Sequence, residues 1–189
     1  MYNDFMNKKL MRKEIVTKRN SISADVRQEK SILIKERLQK LKIFAQAYTV
    51  LFYVSFGSEV ETHQLIKDTL KTEKQVAVPL AHKDGLLIKI ITDFKQVKPG
   101  TWNILEPSNK QPDIDLKVIN LVIVPGVAFS KNHYRLGYGG GYYDKLLSQE
   151  DEAGFTSIGL AFDEQIVNEL PVEKHDKKVD FVLTDKRII

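Results

Sequence analysis

The sequence predicts an α/β fold: a single domain over residues 1–189, with a mainly parallel central sheet flanked by helices. Three observations predict it. Short, continuous apolar runs, rich in β-branched and aromatic residues, recur along the chain as strands covered on both faces would. Charge-rich segments of helical period alternate with them, which is the pattern of a parallel sheet with helical crossovers. The 189 residues, 42% hydrophobic and 29% charged, suffice for one sizeable core and have the balance of a globular domain.

The elements follow in order. Residues from about 5 to 20 form an expected helix with Phe5, Leu10, Ile15 and Val16 on roughly one face. SISADVRQEKSILIKERLQKL follows as a second helix. Ser23 can cap it, and Asp25 suits the positive end of its dipole. AYTVLFYV, ending at Val54, is a buried strand. SEVETHQLIKDTLKTE is the next helix, and its Ser58 and Glu61 have the S-x-x-E spacing of a capping box. QVAVPL, LLIKIIT and VINLVIVP are strands, the last strongly apolar. GYYDKLLSQED suits a short helix, and TSIGLAF and DFVLTD are two final strands. Open sheets of this kind bind ligands at the carboxyl ends of strands. A glycine-rich segment follows LVIVPGVAF at about that place.

Composition narrows the function classes. With no cysteine, disulfides, thiolate chemistry and sulfur-built zinc sites are excluded. The first residues are too charged for a signal peptide, and no apolar run spans a membrane, so the expected compartment is the cytoplasm, without membrane attachment. The net charge of +4, from 29 basic and 25 acidic residues, suits anionic small molecules. No DNA or RNA motif accompanies it, so no nucleic-acid partner is expected. The four histidines, His63, His82, His133 and His175, have no metal-ligand spacing with one another.

The glycine segment, RLGYGGGYYD from Arg135 to Asp144, holds four of the ten glycines. It fits neither G-x-G-x-x-G, whose third glycine would fall at Tyr142, nor the Walker loop. The expected fold is thus Rossmann-like without a standard dinucleotide fingerprint. Consecutive glycines still let backbone N–H groups converge on an anion, beside the N-terminus of a helix starting near Tyr142. Arg135 can grip phosphate with two N–H groups. Asp144 would repel phosphate unless a cation such as Mg2+ lay between them; its plainer role is to favour the helix N-terminus. On spacing alone, a flexible loop remains the alternative.

PGVAFSKNHYRLGYGGGYYDKLL resembles the signature of the 5-formyltetrahydrofolate cyclo-ligase family. KKLMRKEIVTKRNSIS, SFGSEVET, TWNILEP and GLAFDEQIVNELPVEKHDKKVDFVLTD resemble further segments of that family in the same order. Ser130 stands where the family has aspartate, and His133 where it has glycine. The resemblance implies conversion of 5-formyltetrahydrofolate, with or without a polyglutamate tail, to 5,10-methenyltetrahydrofolate. ATP and Mg2+ would be used, a phosphorylated formyl (iminium phosphate) intermediate formed, and a monomer expected. Its residue assignments fall on matching positions of this chain. Lys8, Arg12, Arg135, Leu136, Gly137, Tyr138, Gly139, Gly140, Gly141, Tyr142 and Tyr143 would meet ATP. Of these, Arg135 and Tyr143 would be catalytic. Asp144 and Asp176 would hold Mg2+, with Asp180 as a turn residue. Val54, Glu59, Trp102 and Tyr142 would meet the folate. A folate- or nucleotide-binding protein of the same fold without catalysis is the alternative, motivated by Ser130 and His133.

Overall fold

The computed structural model describes residues 2–100 and 104–189, with side chains from Lys8 onward. The chain begins with helices α1 (Tyr2–Ser21), α2 (Ala24–Lys40) and α3 (Lys42–Gln46). Strand β1 (Thr49–Leu51) leads to α4 (His63–Thr69), then β2 (Gln75–His82) and β3 (Gly85–Ile91). Next come β4 (Val97–Pro99), β5 (Leu105–Pro107), β6 (Leu121–Val124), β7 (Ala128–Ser130) and β8 (Arg135–Leu136). The chain closes with α5 (Tyr142–Leu147), α6 (Glu150–Ala153), β9 (Thr156–Ala161), β10 (Ile166–Val167) and β11 (Phe181–Thr184).

Six strands make the central sheet, in the order β11-β9-β6-β1-β2-β3. All its pairings are parallel except the β2–β3 hairpin. Successive residues of each strand feed opposite apolar layers. Val50, Val76, Leu121, Ile123, Ile158 and Leu183 point into one. Leu51, Ala77, Val122, Val124 and Val182 point into the other. Strands with two buried faces have no polar alternation to show, which is why these runs are continuous in the sequence. Burial of each large apolar side chain contributes about 1.5–3 kcal/mol.

Two small sheets sit beside the large one: β10-β7-β8, and the β4–β5 hairpin. Ile15 of α1 packs with Val127, Ala128 and Leu136 on the first of these. Phe129 joins that sheet to the central one. A Cβ on Gly126 would lie 2.6 Å from its ring, and one on Gly159 of β9 only 2.4 Å. Those two glycines leave the space that the ring fills.

Several boundaries differ from expectation, each for a physical reason. The helix from Ser58 shortens to α4, whose N-cap is Thr62. Ser55 and Thr62 exchange backbone-to-hydroxyl hydrogen bonds at 3.0 Å, and Thr62 also donates to the Tyr53 carbonyl at 2.8 Å. Residues 55–62 are therefore held as a loop against the end of the β1 run. Ser58 is not the cap; it is occupied by Arg19 and Asn20. Glu61 does accept the Gln64 N–H at 3.0 Å. On α1, Leu10 lies outside the buried face at 61% exposed. That face instead carries Lys8, Ile15 and Arg19, so part of the basic stripe points inward. Ser23 caps α2 as expected, accepting the Val26 N–H.

The chain runs from β1 outward to β2 and β3, then returns to β6 on the other side of β1. The switch point between β1 and β6 is where the carboxyl ends of an open sheet form a crevice.

Candidate active site

A cavity of about 730 Å3 opens at that switch point. Tyr53 and Val54 run into it from the end of β1, and Pro125 from the end of β6. Pro79 and Ala81 of β2 and Leu86 of β3 form an apolar wall, with Leu105 of β5 beside them. The segment from Arg135 to Asp144 and the Glu173–Asp176 loop complete the lining, with Lys8 and Arg12 of α1.

The glycine segment turns where only glycine turns easily. Gly139 and Gly141 have φ of 109° and 67°, in the region that L side chains rarely adopt. A Cβ on Gly137 would come to 3.0 Å from Arg135 Nη1, so its hydrogen makes room for the guanidinium. Arg12 Nε donates to the Gly137 carbonyl at 2.7 Å, which pins α1 onto the segment.

Arg135 is 7% exposed and donates from Nη2 to Asp144 Oδ1 at 2.8 Å. Its Nε is buried without a partner among the described residues, and so is the Tyr143 hydroxyl. The Arg135 guanidinium lies 5.7 Å from the centroid of the Tyr143 ring. Burial, with the Glu59 charge adding to it, pushes the Tyr143 phenol well above its usual range. It stays a neutral donor.

Across the cavity, Glu59 is 8% exposed. Its Oε2 accepts the Phe56 N–H at 3.1 Å, while its Oε1 has no hydrogen-bond partner among the described residues. Burial raises this carboxyl to about 7, against the pull of the Phe56 N–H and of Arg19. Phe56 and Tyr138, both exposed, pack at the rim with ring centroids 5.3 Å apart and planes tilted by 40°.

At the third corner, Lys8 Nζ donates to Asp176 Oδ2 at 2.6 Å and lies 3.4 Å from Glu173. Glu173, His175 and Asp176 bring ligand-type atoms within 4.8 Å of one another. Asp144 and Asp176 thus each carry a basic partner, Arg135 and Lys8. The cation that Asp144 needs beside phosphate is already partly supplied by an arginine rather than by a metal alone. Carboxylate oxygens are the donors that a hard divalent cation takes; the cluster within 4.8 Å holds Asp176 with Glu173 and His175, while Asp144 lines the same cavity outside that cluster.

The structure brings Lys8, Arg12, Val54, Glu59, Arg135, Leu136, Gly137, Tyr138, Gly139, Gly140, Gly141, Tyr142, Tyr143, Asp144 and Asp176 to this cavity. Trp102 lies outside the described residues, although the neighbouring Ile104 to Glu106 line the wall. Asp180 is elsewhere, accepting the Ser157 N–H at 2.8 Å, in keeping with a structural role. Sequence reasoning missed Tyr53, Phe56, Arg19 and the Glu173–His175 pair. The acid-x-His-acid run at 173–176 was a usable signal for the last, whereas the β1-run tyrosine and α1 arginine looked like ordinary core and surface.

The family model for the 5-formyltetrahydrofolate cyclo-ligase family matches residues 4–185. The chain belongs to that family. It is 30% identical over 187 residues to the mouse protein named 5-formyltetrahydrofolate cyclo-ligase, covering 93% of this chain and 92% of that one. The Escherichia coli K12 protein of the same name is 29% identical over 175 residues, covering 90% and 96%. The solution structure of Aquifex aeolicus 5,10-methenyltetrahydrofolate synthetase superposes with a TM-score of 0.85 at 29% identity, covering 96% of this chain and 91% of that one. The two departures from the cyclo-ligase signature have simple geometry. His133 adopts φ 73°, the left-handed turn that a glycine takes freely. Buried Ser130 accepts the Tyr134 N–H at 3.1 Å, the turn-closing bond that an aspartate can also make.

Proposed function

We propose that the protein cyclises 5-formyltetrahydrofolate to 5,10-methenyltetrahydrofolate with ATP and Mg2+, releasing ADP and phosphate. The observation that carries this reading is the meeting, in one cavity, of the α1 cations, the glycine segment, two aspartates and the Val54–Glu59 wall. The curated relatives' names supply the reaction class.

In this reading Lys8, Arg12, Arg135 and the segment through Tyr143 border the nucleotide. Asp144 and Asp176 would hold Mg2+, which supplies positive charge against phosphate oxygens when bound. The orphaned Arg135 Nε is a donor suited to the same oxygens. Val54, Glu59 and Tyr142 border the folate, where an ionised Glu59 can accept pterin N–H groups; Trp102, assigned there by the resemblance, lies outside the described residues.

A formamide oxygen is a poor leaving group. Phosphorylation makes it a good one, N10 then closes the ring, and phosphate departs. The protein's work is to align two ligands, balance moving negative charge and exclude water. No protein nucleophile is needed, in keeping with a chain that has no cysteine.

Purified protein should form the methenyl chromophore from 5-formyltetrahydrofolate only when ATP and Mg2+ are both present. Folded protein that binds the folate without forming chromophore would instead favour a non-catalytic binding role.

A further inference from the structure

Arg19 has no place in the assignments above, yet it is only 3% exposed on a turn of α1 whose neighbours face solvent. Its Nε donates to Ser58 Oγ at 2.9 Å and its Nη2 to Tyr138 Oη at 2.8 Å. These bonds tie α1 to two segments 39 and 119 residues further along the chain. Ser58 passes the connection back to α1 by donating to Asn20 Oδ1. The third donor, Arg19 Nη1, is buried without a partner among the described residues, as is Glu59 Oε1. Orphaned buried groups carry a desolvation penalty, and here they sit beside a binding cavity.

We propose that Arg19 is a positioning residue for the folate half of the site: its guanidinium holds the Ser58–Glu59 turn and Tyr138 together and keeps the Glu59 carboxylate presented to the pterin. The inference rests on the folate reading of Glu59 and extends it to a residue that reaches the substrate only through others. Charge acts with geometry. The groups that bear on Glu59 are Arg19 from α1, Tyr53 after β1, and Tyr138 and Tyr143 from the glycine segment and α5. Burial holds all three phenols above their usual range, Tyr138 at about 12, so they are neutral and Arg19 is the cation among these groups. Removing it disfavours the ionised carboxylate that accepts pterin N–H groups.

The test compares the full chain with Arg19→Gln, Arg19→Lys and Tyr138→Phe. It measures melting temperature, KM and kcat for each substrate, and the pH profile of kcat/KM for the folate. Arg19→Gln should lower folate kcat/KM about tenfold, leave the ATP KM within about twofold, and move the half-maximal pH up by roughly one unit. Arg19→Lys should return the pH midpoint but not the full rate, because an ammonium lacks the planar fork. Tyr138→Phe keeps the Arg19 charge but removes one tie and a hydroxyl that favours the ionised Glu59, so it should lower folate kcat/KM and move the midpoint up by less than Arg19→Gln does. Equal losses for ATP and folate in folded Arg19→Gln, or an unmoved midpoint, overturn the proposal. If Arg19→Gln does not fold, wild-type values in both other variants overturn it. Wild-type protein that forms no chromophore brings down the folate reading and this proposal together; an active wild type with unchanged variants brings down the proposal alone.

Discussion

Tyr143 separates stability from activity at the level of one atom. Its hydroxyl is buried and makes no hydrogen bond among the described residues, so deleting it removes an unsatisfied group and none of those partners. Tyr143→Phe should therefore leave stability unchanged or raise it by up to about 1 kcal/mol in chemical denaturation. If the hydroxyl serves the reacting formyl group, kcat should fall about tenfold or more. A variant that loses stability and keeps kcat would reassign Tyr143 to packing. Residues of this kind were legible in the sequence through the company they keep. Arg135, Tyr143 and Asp144 fall within one short glycine-rich run, and family resemblance assigned them roles. Arg19 and Phe56 were not legible, because an arginine on a basic helix and a phenylalanine after an apolar run have commonplace roles. Their importance depends on partners far away in the chain.

Among the elements, α6 carries the clearest pH dependence. Glu150, its first residue, is raised to about 7, chiefly by burial and then by the nearby Asp180 charge, against a hydrogen bond from Ser157. The ordinary value is 4.5. Between those two values the folded protein binds a proton that the unfolded chain has released. Glu150 therefore stabilises the fold fully below the lower value, and that contribution is lost as pH rises to about 7. Thermal melts should show Glu150→Gln gaining on wild type across this interval and keeping a constant advantage above it. A parallel displacement at every pH would rule the carboxyl out as the cause. The same helix shows why boundaries were harder to see than elements. GYYDKLLSQED has continuous helical character, but it divides into α5 and α6. The hairpin β4–β5 and the strands β7, β8 and β10 are two or three residues long. Such short pieces carry no period, and only pairing with distant partners makes them strands.

Across the whole molecule, the central sheet was readable because its strands are apolar on both faces, and the antiparallel β3 was not, because direction leaves no mark in composition. Phe129 is where the small sheet and the central sheet become one body. Its ring fills the space above Gly126 and Gly159 and is fully buried. Phe129→Ala should cost about 3–5 kcal/mol, a large share of a typical stability of about 5–15 kcal/mol. Gly159→Ala should also destabilise, since its new methyl would meet the ring. Combining it with Phe129→Leu should recover part of the loss, measured as a coupling in a double-mutant cycle. Simple addition of the two losses would show that the ring and Gly159 do not share one space.

The ion pair between Lys8 and Asp176 bridges 168 positions of the chain. On the ribosome, α1 must wait for a loop made 168 residues later. Domains begin to organise from the N-terminal side as they emerge, and β1, α4 and β2 can gather while later strands are still being made. The cavity cannot close over its Lys8 corner in that interval. Completion of the site is thereby tied to synthesis of the chain through Asp176, so a nascent chain presents its Lys8 corner to water before it can present it to a ligand.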